Sequence, residues 1–195
     1  MPGSPWTAEN RTMIGDRAVT DRFTALLMAF VVGAAAGLLS ACVRLHLGLP
    51  GHKAVLLLAP VIAARFTLRL PAASTAGMAA ASLASCAASG SLVGAAPQLL
   101  FFVLAGAVID LAASFANRRR LATVWLIPLA ALAGLAANMI LLLARLIAPL
   151  FRYHALPGLS ALGTRVFSYA LFGLIAGAVG AAAGRVLRPP RPRLP

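Results

Sequence analysis

From Phe23 to Val43 the chain runs for 21 residues without a charged side chain. About 20 apolar residues in helical geometry cross the hydrocarbon core of a bilayer, and the surface of a soluble domain has no room for so long an uncharged segment. The pattern recurs five times. A second run, Ala54–Arg65, holds 12 residues, or 16 if it extends to Arg69, roughly 24 Å at 1.5 Å per residue. The third is Leu70–Ala96, the fourth Gln98–Ala116 interrupted by Asp110, the fifth Leu121–Pro149 and the sixth Val166–Leu187. No soluble domain separates them. The expected fold is an all-α integral membrane protein, a compact bundle of about six transmembrane helices with both termini cytoplasmic.

Composition agrees with this reading. Hydrophobic residues make up 61% and charged residues 11%, with a mean hydropathy of +0.92, where a soluble globular chain carries about 45–50% and 25%. These values exclude a cytosolic enzyme, a disordered tail and a secreted disulfide scaffold. The net charge of +13 comes from 16 Arg and one Lys set against Glu9, Asp16, Asp21 and Asp110. Nucleic-acid binders gather such residues on one solvated face or arm. Here they punctuate apolar segments, so no nucleic-acid partner is expected. Cys42 and Cys86 lie within apolar runs and lack CxxC spacing, which gives no zinc or redox signal.

The charges also orient the chain. With the N-terminus inside, the inner segments carry 12 cations, among them Arg118, Arg119 and Arg120 and the tail arginines, and the outer segments carry five. Cytoplasmic segments collect Lys and Arg. Three regions follow. Residues 1–21 read as a polar, turn-rich cytoplasmic arm without the features of a signal peptide, residues 22–187 as the six-helix membrane domain, and residues 188–195 as a basic, Pro-rich cytoplasmic tail.

No paired carboxylate, HExxH, GxSxG or phosphate-binding loop is present, so no enzyme, cofactor or metal centre is expected. Asp110 is the sharpest single residue, because a carboxylate at membrane depth is costly and faces the bundle interior. The sequence offers it a structural role, paired with Arg65 or with Arg118–Arg120, or else a role in coupling or partner docking. Asn138 is open to an interhelical bond or a solute contact. The outer side gathers His46, His52 and His154 with Arg44, Lys53, Arg145 and Arg152. Arg145 is the first choice for a solute contact. No acid in that half neutralises it, and Asn138 lies seven residues earlier on nearly the same helical face. Arg44, His46, His52 and His154 would line the mouth.

Small residues carry a further pattern. Ala72, Ala76, Ala80, Ala84 and Ala88 recur every fourth residue, which predicts a central, closely packed third helix. The sixth run carries Gly173-x-x-x-Gly177 and Ala176-x-x-x-Gly180-x-x-x-Gly184. The first contains Ala25-x-x-x-Ala29 near its cytoplasmic end, followed by Gly33 and Gly37.

This arrangement resembles the S-components of energy-coupling factor (ECF) transporters. The likeness covers residues 22–187 and includes Ala25-x-x-x-Ala29, the Gly106-Ala-Val-Ile-Asp110 run and the region of Asn138. It implies a substrate-capture subunit of a bacterial cytoplasmic (inner) membrane importer. Such a subunit takes a small vitamin-type solute from the outside and docks through Ala25 and Ala29 on a T-component driven by two ATPases. The metal-type members use an N-terminal His segment, and no His precedes residue 46 here. The alternative is a non-transporting helical protein that scaffolds a membrane complex through its Ala and Gly faces. A self-contained carrier would carry internal repeats.

Overall fold

The computed structural model describes residues 6–43, 50–68, 70–90, 95–119, 121–153 and 162–187. These form six helices and no strand: α1 (Trp6–Cys42), α2 (Lys53–Leu68), α3 (Ala73–Ser89), α4 (Ala95–Arg118), α5 (Thr123–Tyr153) and α6 (Leu162–Val186). Four contain segments long and apolar enough to cross a membrane, namely Val19–Cys42, Ala96–Arg118, Val124–Ile147 and Leu162–Val186. This suggests a membrane protein. The other two helices, α2 with 16 residues and α3 with 17, reach only about 24–26 Å, a few ångströms less than the hydrocarbon core.

Two sequence expectations are corrected here. The N-terminal arm is helical from Trp6 and runs unbroken into the first apolar segment. Residues 6–21 contain no proline and a single glycine, Gly15, so nothing in them stops a helix. The third apolar run of 27 residues yields a helix of only 17. Ala72 before it and Gly90 after it both adopt left-handed backbone, and the Gly90 N–H closes on the Ala87 carbonyl, the usual way in which a glycine ends a helix.

Successive helices run in opposite directions and close a ring in the order α1, α3, α4, α5, α6, α2. The central helix is α2, which touches all five others. The alanine stripe predicted that place for α3. The stripe allows close approach, but α3 spends it on α1 and α4. The core instead gathers around Leu57, Leu58, Val61 and Ile62 of α2, with Met78, Ile109, Ala137, Leu141 and Ala176 around them.

Small residues set the helix spacing. A Cβ on Gly33 or Gly37 would run into the backbone of Gly77 or Ala81, so α1 and α3 pack main chain to main chain. The glycines of α6 divide their work. Gly173 and Gly177 face Gly134 and Ala130 of α5, while Gly180 and Gly184 face Ala59 and Ala63 of α2. Lipid supplies no hydrophobic drive between helices, so close van der Waals contact of this kind is the main attraction available.

Candidate functional site

The two ends of the bundle differ in kind. At the end where α2 finishes and α3 begins, a polar network is closed on itself. Helix α3 starts without a side-chain cap of its own, which leaves its first amide groups without acceptors. Asp110 of α4 supplies them. Its Oδ1 accepts the Ser74 N–H at 3.2 Å, and its Oδ2 accepts the Thr75 N–H and hydroxyl, both at 2.8 Å. Arg65 Nε stands 2.7 Å from Asp110 Oδ1 as an ion pair, and Arg65 Nη2 donates to Ser114 Oγ at 3.4 Å. Gly106, one turn before Asp110, makes this reach possible, because a Cβ there would lie 2.6 Å from the Ser74 carbonyl oxygen. The carboxylate caps a neighbouring helix and sits at the positive end of its dipole.

Of the arrangements the sequence left open for Asp110, the structure forms the Arg65 pair. Arg119 lies over the ring of Phe115 on its own helix, 5.8 Å from the centroid. Ala29 is 1% exposed and packs against Gly77 of α3, so the bundle itself uses the second alanine of the expected docking pair. Ala25 is half-buried.

The opposite end is open. A cavity of about 420 Å³ lies there, with walls drawn from all six helices, inside the range of about 300–1,000 Å³ typical of small-molecule sites. Helix α2 begins at its rim with Lys53 and contributes Leu57 one turn further in. Gln98, Phe101 and Phe102 come from one face of α4, Ser40 from α1 and Ser85 from α3. The two serine hydroxyls are spent on one acceptor, the Gly37 carbonyl, at 3.0 and 3.2 Å.

The fourth wall joins α5 and α6. Asn138 and Arg145 both line the cavity, two turns apart on α5, and Tyr169 links them. Asn138 Nδ2 donates to the Tyr169 carbonyl at 2.6 Å, and the Arg145 guanidinium lies 5.8 Å from the centre of the Tyr169 ring, a cation–π distance. A carbonyl only accepts, so this bond fixes the amide orientation. Asn138 Oδ1 is consequently turned away, buried and without a hydrogen-bond partner among the described residues.

The turn at 50–52 is fastened to the same helix. The Ser168 hydroxyl donates to the Pro50 carbonyl. Gly51 has φ +88, and a Cβ on it would lie 2.9 Å from the Tyr169 ring, so both its backbone and its neighbour require glycine there.

The structure therefore brings Asn138 and Arg145 to one cavity. His52 packs edge-on against Phe172, 6.4 Å between centroids, and does not line the cavity. Arg44, His46 and His154 lie outside the described residues. Among the described residues no three His, Cys, Asp or Glu side chains could hold a metal ion. Sequence reasoning missed Phe101, Phe102 and Tyr169. The spacing of Gln98, Phe101 and Phe102 at i, i+3 and i+4 marks one helical face, a signal that was there to read. Nothing in the sequence ties Tyr169 to Arg145. No known protein family, curated protein or solved structure matches the chain.

Proposed function

We propose that this chain is the membrane-embedded substrate-binding subunit of a vitamin- or micronutrient-type importer. It takes a small solute into the cavity from the outer side and docks on an ATPase-driven transmembrane partner. The cavity carries this reading. It is the right size for a small molecule, it opens at one end, and it combines an apolar wall with a few convergent polar groups. At the other end of the bundle Arg65 and Asp110 are buried and paired with each other, so their charges are not offered to a solute.

The rival scaffold reading depended on small-residue faces free to bind other helices. Gly33, Gly37, Gly106, Gly134, Gly173, Gly177, Gly180 and Gly184 are all used inside the bundle, which favours capture over scaffolding.

In this reading the chain is a multi-pass protein of a bacterial cytoplasmic membrane. All six helices cross, the short α2 and α3 being accommodated by local thinning or by snorkelling of Lys53 and Arg65, and both termini are cytoplasmic. Topology is tested by single cysteines in a background lacking Cys42 and Cys86. Arg119→Cys is expected to react with a membrane-impermeant maleimide only after the cells are opened, and Gly163→Cys in intact cells. The reverse pattern overturns the orientation.

The importer reading is tested by affinity purification from the host membrane in mild detergent. A polytopic T-component and two ATPase subunits are expected to co-purify. Solute binding by a chain that never brings down such partners removes the importer reading and leaves a solitary binder.

A further inference from the structure

The cavity's chemistry narrows what it holds, taking as given the reading above that it is a solute site. Its cationic groups are Lys53 and Arg145. The four carboxylates of the sequence are Glu9, Asp16, Asp21 and Asp110. The first three belong to the start of α1, at the far end of the bundle, and Asp110 is committed to Arg65, Ser74 and Thr75. Among the described residues no acid side chain lines the cavity beside the two cations. Arg145 is exposed at the cavity and has the Tyr169 ring beside it but no counter-ion among the described residues, so a bound anion gains a charge-assisted hydrogen bond there.

The deep end of the cavity asks for something different. Asn138 is 1% exposed, and its Nδ2 is occupied by the Tyr169 carbonyl. Its Oδ1 is a buried acceptor lacking a donor among the described residues. Buried polar groups in folded proteins are nearly always paired, and Asn138 borders the cavity, so an occupant that presses an N–H or O–H against this wall would give the acceptor its donor. A cationic donor fits poorly, because one neutral carbonyl does not compensate for burying an ammonium.

Between the two poles the wall is apolar, with Phe101 and Phe102. Asn138 and Arg145 are separated by about 10 Å of helical rise, much of which the long arginine side chain can span toward the cavity.

We infer that the occupant is a small organic anion of one defined polarity. Its carboxylate or phosphate meets Arg145 and Lys53 near the mouth, a flat apolar body lies along Phe101 and Phe102, and a neutral N–H or O–H donor at the far end bonds to Asn138 Oδ1. The arrangement discriminates twice. Removing the anion leaves the two cations uncompensated, and capping the donor forces an apolar group against a buried carbonyl.

The test uses the detergent-purified full chain and two probe scaffolds of this shape, indole-3-butyrate and 4-(4-hydroxyphenyl)butyrate. Each is compared with its carboxamide, which deletes the anion, and with its N-methyl or O-methyl derivative, which deletes the donor. Binding is read by calorimetry and by the rise in melting temperature. At least one acid is expected to bind at millimolar concentration or better, and both of its altered forms at least tenfold more weakly. Arg145→Gln is expected to abolish the preference for acid over amide, and Asn138→Ala the preference for the free donor. The ligand-side comparisons are made in the wild-type chain and do not depend on either variant folding.

A carboxamide that binds as well as its acid, a methyl cap without effect in the wild-type chain, or failure of both acids to bind overturns the inference. Equal binding of acid and amide leaves the importer reading in place. Selective acid binding by a chain without ATPase partners does the opposite.

Discussion

Asp110→Leu is expected to cost about 3–5 kcal/mol of stability, the penalty of stranding one member of a buried ion pair. Two groups lose their partner together. Arg65, buried on α2, keeps its charge with no counter-ion, and the Ser74 and Thr75 amides at the start of α3 lose their acceptor. The charge dominates, since single hydrogen bonds between membrane helices average only about 0.6 kcal/mol. Asp110→Asn keeps an acceptor for one amide and should fall between wild type and Asp110→Leu. Adding Arg65→Leu to Asp110→Leu should recover part of the loss, because the stranded charge is then gone. Thermal unfolding of the four proteins in one detergent ranks this series. An Asp110→Leu protein that melts with the wild type would show that the network contributes nothing.

Gly177→Val is expected to be nearly as damaging, by about 3 kcal/mol, the upper part of the range for overpacking. A Cβ at this position runs into the Ala130 carbonyl and the main chain of Ala131. Main chain in a helix cannot turn aside as a side chain can, so α5 and α6 must separate along their length. The same separation pulls Asn138 away from the Tyr169 carbonyl, so binding in the cavity should weaken along with stability. Gly163, on the same helix, is the control. A Cβ there meets nothing within 4 Å, and Gly163→Ala should be neutral or stabilise by up to about 1 kcal/mol through helix propensity. Equal melting temperatures for Gly177→Val and Gly163→Ala would refute the packing argument.

Much of this architecture could be read from residue spacing. The two stripes on α6 differ by a few residues in register, and in the structure they face different neighbours, α5 and α2. Asn138 and Arg145, seven residues apart, line one cavity because two helical turns return nearly to the same face. What escaped the reading depended on partners that carry no side-chain signal. The Asp110 cap acts on backbone amides of α3, and an amide looks alike at every position of a sequence. The central place of α2 escaped for a related reason. Small residues announce close approach, but a helix that touches every other helix needs no stripe, only the large side chains of Leu57, Leu58 and Ile62. His52 misled because polar residues near helix ends are common for many reasons, and it meets a phenylalanine instead of the cavity.

The pairing of α2 with α6 bears on how the bundle is assembled during synthesis. The Thr67 hydroxyl of α2 donates to the Ala63 carbonyl of its own helix at 2.8 Å and shares that proton with the Gly184 carbonyl at 3.4 Å, 117 residues further along the chain, and Ala59, Ile62, Ala63 and Phe66 rest on Gly180 and Gly184. While the intervening helices are being made, that flank of α2 has no protein neighbour. Helix α2 is also short, carries Arg65 and is not among the four helices long and apolar enough to cross a membrane, so it depends most on its protein neighbours. Arrival of α6 is therefore a locking step, and a nascent chain stopped before residue 180 should leave α2 loosely held and open to quality-control proteases.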